Sequence, residues 1–261
     1  MIDYCALCGL KKELQNSHFM PKFLYRELKK PFPANYGGVL LVDDDKAFYV
    51  GKEIKKYLLC ADCEHKFSQN GEDSVAREIM TQNNFPLLEK LRPLKEKYLI
   101  EPCFHVKELQ PIPLINCNAF FYFALSIIWR ATITDWSFGD TSVTGKIRSQ
   151  DQANIALFLR SSCNSVVSNI AVHVSACNDN PPAFFTPPNF TENPDNSYAY
   201  KFFIQGIRFV VLMGTTVHNE QIIFSEYPFY KTSDAKTVFD FSKNSVPKGR
   251  LLKEIETGFF S

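Results

Sequence analysis

The chain has 261 residues, is 45% hydrophobic and 14% aromatic, and carries a formal net charge of +1. That apolar content is enough for a sizeable core, as one large domain or two small ones. The balanced charge excludes a global basic field, so any nucleic-acid binding must rest on a local patch.

Residues 1–15 hold a cysteine pair, lysines and a glutamate rather than a basic stub and an apolar run, which predicts no export signal. The longest apolar run, Ala119 to Trp129, is too short to span a bilayer. The expected setting is therefore the reducing cytoplasm, with no membrane partner and with cysteines used as metal ligands rather than in disulfides.

The chain opens on Cys5-Ala6-Leu7-Cys8, and Ser17-His18-Phe19-Met20-Pro21 follows closely. Pro21 suits the first turn of a helix running to about Lys30. Leu24 and Leu28 fall on one side of it, while Lys22, Arg26 and Lys29 fall on the other. Pro31 and Pro33 stop it. Gly37 to Val50 reads as a β-hairpin turning at Asp43-Asp44-Asp45. Tyr57-Leu58-Leu59 leads into a second pair, Cys60-Ala61-Asp62-Cys63. A helix is expected to start near Cys63 and to carry Glu64 and Phe67.

Prolines 86, 93, 102, 111 and 113 crowd the next stretch and predict a broken connection. Asn118 to about Trp136 gives the strongest helix signal, apolar almost all round, with Asn118 as its N-cap. A second helix is expected over 149–160. Ile170, Val172 and Val174 alternate with smaller or polar residues in a strand pattern. Residues 178–198, rich in Pro, Asn and Asp, predict a long loop. Tyr200 to Met213 predicts a strand bulged at Gly206, with Gln221 to Tyr227 pairing antiparallel to it. The expected organisation is α+β: a zinc module at 1–80, a proline-rich connection at 81–114, and a unit at 115–261 with a buried central helix and an antiparallel sheet.

Two CxxC pairs supply four thiolates for tetrahedral zinc, and Cys5, Cys8, Cys60 and Cys63 are the expected ligands of a structural ion. Cys103, His105 and Cys117 lack a fourth ligand. Arg130, inside the apolar helix, calls for a carboxylate or carbonyl partner. A knuckle, a hairpin and a second knuckle feeding a helix form the layout of a treble clef.

The order Cys5-x-x-Cys8, Ser17-His18-x-x-Pro21-Lys22 and Leu59-Cys60-x-x-Cys63-Glu64-x-x-Phe67-Ser68 resembles the HNH endonucleases. The likeness is greatest to a bacterial subgroup with a Ser-His-Ile-Ile-Pro-Lys-Phe type motif, and Phe123 to Arg130 resembles a helix of that subgroup. The resemblance implies metal-dependent hydrolysis of phosphodiester bonds in DNA, within defence against mobile DNA. It implies His18 as general base and a second divalent ion (Mg2+, Mn2+ or Ni2+) on the scissile phosphate. Glu64 takes the place of a histidine that ligates that ion, and Ser17 that of another ligand. The asparagine that orients the base in the family has no counterpart in residues 36–60. Lys22, Arg26, Lys29 and Lys30 are the residues placed to contact phosphate. The alternative is a non-catalytic zinc finger that binds nucleic acid or a protein partner, with residues 115–261 docking on another chain.

Overall fold

The computed structural model describes residues 1–29, 39–43, 46–81, 83–97, 114–136, 143–161, 169–179, 183–214 and 221–227. Lys30, Asp44, Asp45, Cys103, His105, Cys163, His218 and half of the 81–114 connection lie outside the described residues.

β1 (Ile2–Tyr4) and β2 (Lys11–His18) flank the first cysteine pair and run antiparallel, Tyr4 opposite Lys11. The turn between them closes on Gly9, whose N–H donates to the Cys5 carbonyl at 2.8 Å. Gly9 has φ +72°, the left-handed region that glycine enters freely. β2 then pairs antiparallel with β5 (Lys55–Cys60), with a register shift between Gln15 and Asn16. β5 runs straight into α2 (Ala61–Phe67), so β1-β2-β5 form a small sheet ending in a helix.

Between β2 and β5 the chain leaves this sheet. α1 (Lys22–Lys29) buries Leu24, Tyr25 and Leu28 and exposes Lys22, Arg26 and Lys29, as their spacing predicts. The expected hairpin forms as β3 (Val39–Asp43) and β4 (Lys46–Val50), with Val39 opposite Val50. It does not join the cysteine pairs, however. β3 lies parallel to β7 (Phe184–Glu192), so the hairpin forms the edge of a seven-stranded sheet. Val39 to Val42 are all buried, and a strand apolar on both faces needs two covered faces, which a small finger cannot supply.

α2 continues into a π-helical turn, Ser68–Glu72, and then α3 (Asp73–Val75). Gly71 lies against α5 (Cys117–Ile133): a Cβ there would stand 3.1 Å from the Phe123 backbone. α4 (Pro86–Lys97) follows, burying Leu87, Leu88 and Leu91. α5 is buried from Ala119 to Thr132, as its composition predicts. Its cap is Asn116 rather than Asn118: the Asn116 side chain accepts from the Ala119 N–H at 3.1 Å. The helix ends at Ile133, and Trp136 folds back to donate its indole N–H to the Arg130 carbonyl at 2.7 Å. α6 (Ser149–Ser161) packs on α5, and the Tyr122 hydroxyl donates to the Leu159 carbonyl at 2.8 Å.

The large sheet has the order β10-β6-β9-β8-β7-β3-β4, from β6 (Ile170–Cys177), β8 (Tyr198–Ile204), β9 (Ile207–Met213) and β10 (Gln221–Tyr227) with those named above. It is mixed rather than antiparallel. The 178–198 stretch, expected as a loop, contains β7. Its Pro187 and Pro188 fall in a register shift between Thr186 and Asn189, where a missing N–H costs no ladder bond. Tyr200 to Met213 is not one bulged strand but the tight hairpin β8–β9. Gln205 and Gly206 turn it with φ of 28° and 87°, both positive as in a type I′ hairpin turn. β10 pairs parallel with β6, Ile222 opposite Val172, and not antiparallel with β9, both of whose edges are taken by β6 and β8.

α5 lies on this sheet. Phe120 stacks on Phe209 and meets Phe224 edge-on, at centroid distances of 6.2 and 5.3 Å. From the side of α2, Phe67 meets Tyr122 and Trp129 edge-on. One continuous core runs from Cys5 to Phe224. Among the described residues no helix is long and apolar enough to cross a membrane.

Candidate metal centre

The β1–β2 turn delivers Cys5 and Cys8. The end of β5 and the first turn of α2 deliver Cys60, the N-cap, and Cys63. The four Sγ atoms lie within 4.8 Å of one another, and Cys8 and Cys60 are 3.9 Å apart. A tetrahedron with Zn–S bonds of 2.3 Å has S···S edges of about 3.8 Å. The cluster therefore fits a tetrahedral thiolate site with little adjustment. All four cysteines are free, and three of them are buried. The Cys60 N–H donates to Cys5 Sγ at 3.3 Å, the kind of contact that stabilises a thiolate. Thiols this close share protons. Cys5 is pushed down to about 4, first by its hydrogen bond with Cys63, and Cys63 is pushed up by the same contact. Cys60 is raised, chiefly by burial. A divalent cation resolves that conflict by taking the place of the protons. Lys12 ties the first turn of α2 to β2 through Asp62 at 2.6 Å.

His18 ends β2, opposite Lys55 at the start of β5. Its Nε2 lies 3.1 Å from the Glu53 carboxylate, which also receives Lys55 Nζ at 2.5 Å. Glu53 is lowered to about 2, first by Lys55 and then by His18, and is ionised at neutral pH. An ionised carboxylate only accepts, so the proton of this hydrogen bond sits on His18 Nε2. Nδ1 makes no hydrogen bond among the described residues. The ring is partly exposed, 19%. The backbone next to Glu53 is held in turn: Ile54 N–H donates to the Tyr25 hydroxyl at 3.4 Å, and Phe19 N–H donates to the Ile54 carbonyl at 2.9 Å. Burial raises the Tyr25 phenol, so it stays protonated.

Ser17 is not turned toward His18. Its hydroxyl is buried and accepts from the Leu59 N–H at 3.1 Å, next to the β2–β5 register shift. Glu64 lies on α2, half-buried, with Oε1 buried and unpaired among the described residues. Apart from the four cysteines, no group of three or more metal-ligating side chains gathers among those residues. A second ion thus finds no ready donor set around His18 and Glu64. Lys22, Arg26 and Lys29 form an exposed edge on α1, starting four residues after His18.

Arg130 finds the partners that its position demands. It is 2% exposed, pairs with Glu72 on the π-turn, and donates to the His18 carbonyl at 3.2 Å. Its guanidinium lies 4.8 Å from the centre of the Phe67 ring.

Sequence reasoning missed Glu53 and Glu72. Neither stands at a motif spacing. The signal for Glu72 was Arg130 itself; for Glu53 it was only a carboxylate two residues before a strand that faces a histidine. Comparison with protein-family models, with curated proteins and with solved structures gives no match.

Proposed function

We propose that this chain is a treble-clef zinc protein of the HNH type that hydrolyses phosphodiester bonds in DNA. Cys5, Cys8, Cys60 and Cys63 hold a structural Zn2+, which fixes the turn and the helix about the β2–β5 pair. The observation that carries the catalytic reading is the His18–Glu53 pair: an imidazole held through Nε2 by an ionised carboxylate, with Nδ1 left for water. Glu53 takes over the orienting task that the family gives to an asparagine. In this reading Nδ1 removes a proton from water as its oxygen attacks phosphorus, and Glu53 stabilises the imidazolium through Nε2–H. The departing oxygen takes that proton from the imidazolium, which restores the base. No step is assigned to a second metal, for which the described residues offer no donor set.

Incubation of plasmid DNA with zinc-loaded protein in Mg2+, Mn2+ or Ni2+ tests this. His18→Ala is expected to lose about 10²–10⁴-fold in cleavage with the zinc content unchanged. Glu53→Gln is expected to lose activity without changing DNA affinity. Wild-type protein inactive in all three ions, or a fully active His18→Ala, overturns the catalytic reading.

A second reading is favoured by Ser17, whose hydroxyl is committed to the backbone of β5. With that ligand position used for structure, the module binds DNA through the exposed α1 edge without cutting it.

A further inference from the structure

We infer that Tyr57 is a stacking platform for an unpaired base beside the scissile phosphate, so that the preferred strand is single or locally opened DNA. The inference rests on the His18 reading above for the position of the phosphate, but the contact itself is one of binding.

In the β2–β5 pair, residues opposite each other share a face, and faces alternate along each strand. His18 is opposite Lys55, Ser17 opposite Lys56, and Asn16 opposite Tyr57. Ser17 is buried and Lys56 reaches the Asp135 carbonyl, so that pair faces the body of the protein. His18, Lys55, Asn16 and Tyr57 therefore share the other face. Tyr57 is 53% exposed there, a large ring in the open, two residues from Lys55 and about 7 Å along the strand. The chain continues past His18 into α1, where Lys22 and Arg26 are exposed.

Along this face an aromatic ring is thus followed by Lys55 and the His18–Glu53 pair. This is the order that a single strand asks for: a π-face for a base and cations for the backbone. A base inside a duplex offers only its edges, because both of its faces are covered by its neighbours. A ring lying open on a sheet can use a base only after the base has left its stack. Tyr57 next to a phosphate-cleaving histidine thus selects unstacked nucleotides, and any base will serve.

The test is binding of a fluorescent single-stranded DNA oligonucleotide to zinc-loaded wild type, Tyr57→Ala and Tyr57→Trp, measured by anisotropy. Tyr57→Ala is expected to weaken binding about tenfold, within the range for loss of one stacked base. Tyr57→Trp is expected to bind as well as wild type, with its indole emission quenched on binding. An oligonucleotide carrying an abasic run is expected to bind wild type and Tyr57→Ala alike. Equal affinity of wild type and Tyr57→Ala for the intact strand overturns the inference, as does failure of wild type to bind any single strand. The catalytic reading fails separately, by absence of cleavage, and leaves these binding differences in place.

Discussion

Arg130→Met removes a charge from a largely buried ion pair. Arg130 is 2% exposed and Glu72 is 16% exposed. The variant keeps most of the side-chain volume but leaves Glu72 without its cation and the His18 carbonyl without its donor. Breaking a buried pair from one side costs about 3–5 kcal/mol. Glu72 keeps some contact with water, which argues for the lower end, near 3 kcal/mol. A companion variant separates this from loss of packing. Glu72→Gln in the Arg130→Met background removes the stranded charge and should recover about 1–2 kcal/mol, a coupling normal for contacting residues. Urea denaturation of zinc-loaded Arg130→Met, Glu72→Gln and the double variant against wild type at neutral pH, followed by two probes to check for a single transition, gives all three differences. A loss below about 1 kcal/mol for Arg130→Met, or strictly additive single and double variants, would refute the claim that this pair holds α5 to the π-turn.

Three more outcomes follow from the same geometry. Elemental analysis should find one zinc per chain, and Cys63→Ser or strong chelation should remove it and lower the melting temperature, since metal binding contributes directly to folding; an unchanged melting curve after zinc loss would sink the structural role. Alanine at Lys22, Arg26 and Lys29 should flatten the salt dependence of DNA affinity by about one unit of log–log slope per lost phosphate contact, and an unchanged slope would mean that the helix edge is only solvated. His173, lowered to about 4 first by burial and then by Arg208, is neutral when folded but takes a proton near pH 6.5 when unfolded. Its contribution is therefore complete above pH 6.5 and is lost as pH falls toward 4, so His173→Asn should show a shallower fall in stability over that window than wild type.

Much of this was legible in the sequence where one local rule governs the outcome. The cysteine cluster follows from pair spacing, α1 from the Leu24/Leu28 and Lys22/Arg26/Lys29 faces, and α5 from its unbroken apolar run. The misses share a cause: each depends on what lies alongside the segment. The apolar run within Gln221 to Tyr227 marks a strand but carries no label for its neighbour, which is β6 in parallel. Pro187 and Pro188 read as breakers because a register shift that accommodates them is visible only in the pairing. The β3–β4 hairpin was legible as a hairpin, yet nothing in Val39-Leu40-Leu41-Val42 says which sheet it enters. At α5, two asparagines stand two residues apart and only Asn116 meets a free N–H. Glu53 was invisible because its role comes from the fold, which brings residue 53 to residue 18 across β2 and β5.

The geometry around His18 has a further consequence for how the site is held. Its ring is oriented by Glu53, whose neighbour Ile54 is bonded to Tyr25 of α1 and to the backbone of Phe19. Its carbonyl is held by Arg130 from α5, which also grips Glu72 at the far end of the helix that begins with two cysteines. That helix shifts into a π-turn where Gly71 presses on Phe123, and a π-turn changes the angle at which the following side chain leaves the axis. Glu72 is the last residue of that turn. The cysteine cluster at one end of α2 and the histidine at the end of β2 are thus joined through one buried arginine. A general base must be placed to within a fraction of an ångström to work. On the proposed reading, a zinc ion on the cysteine cluster would fix the start of α2 while Arg130 fixes its π-turn to the His18 backbone, so the metal and α5 would position the same imidazole.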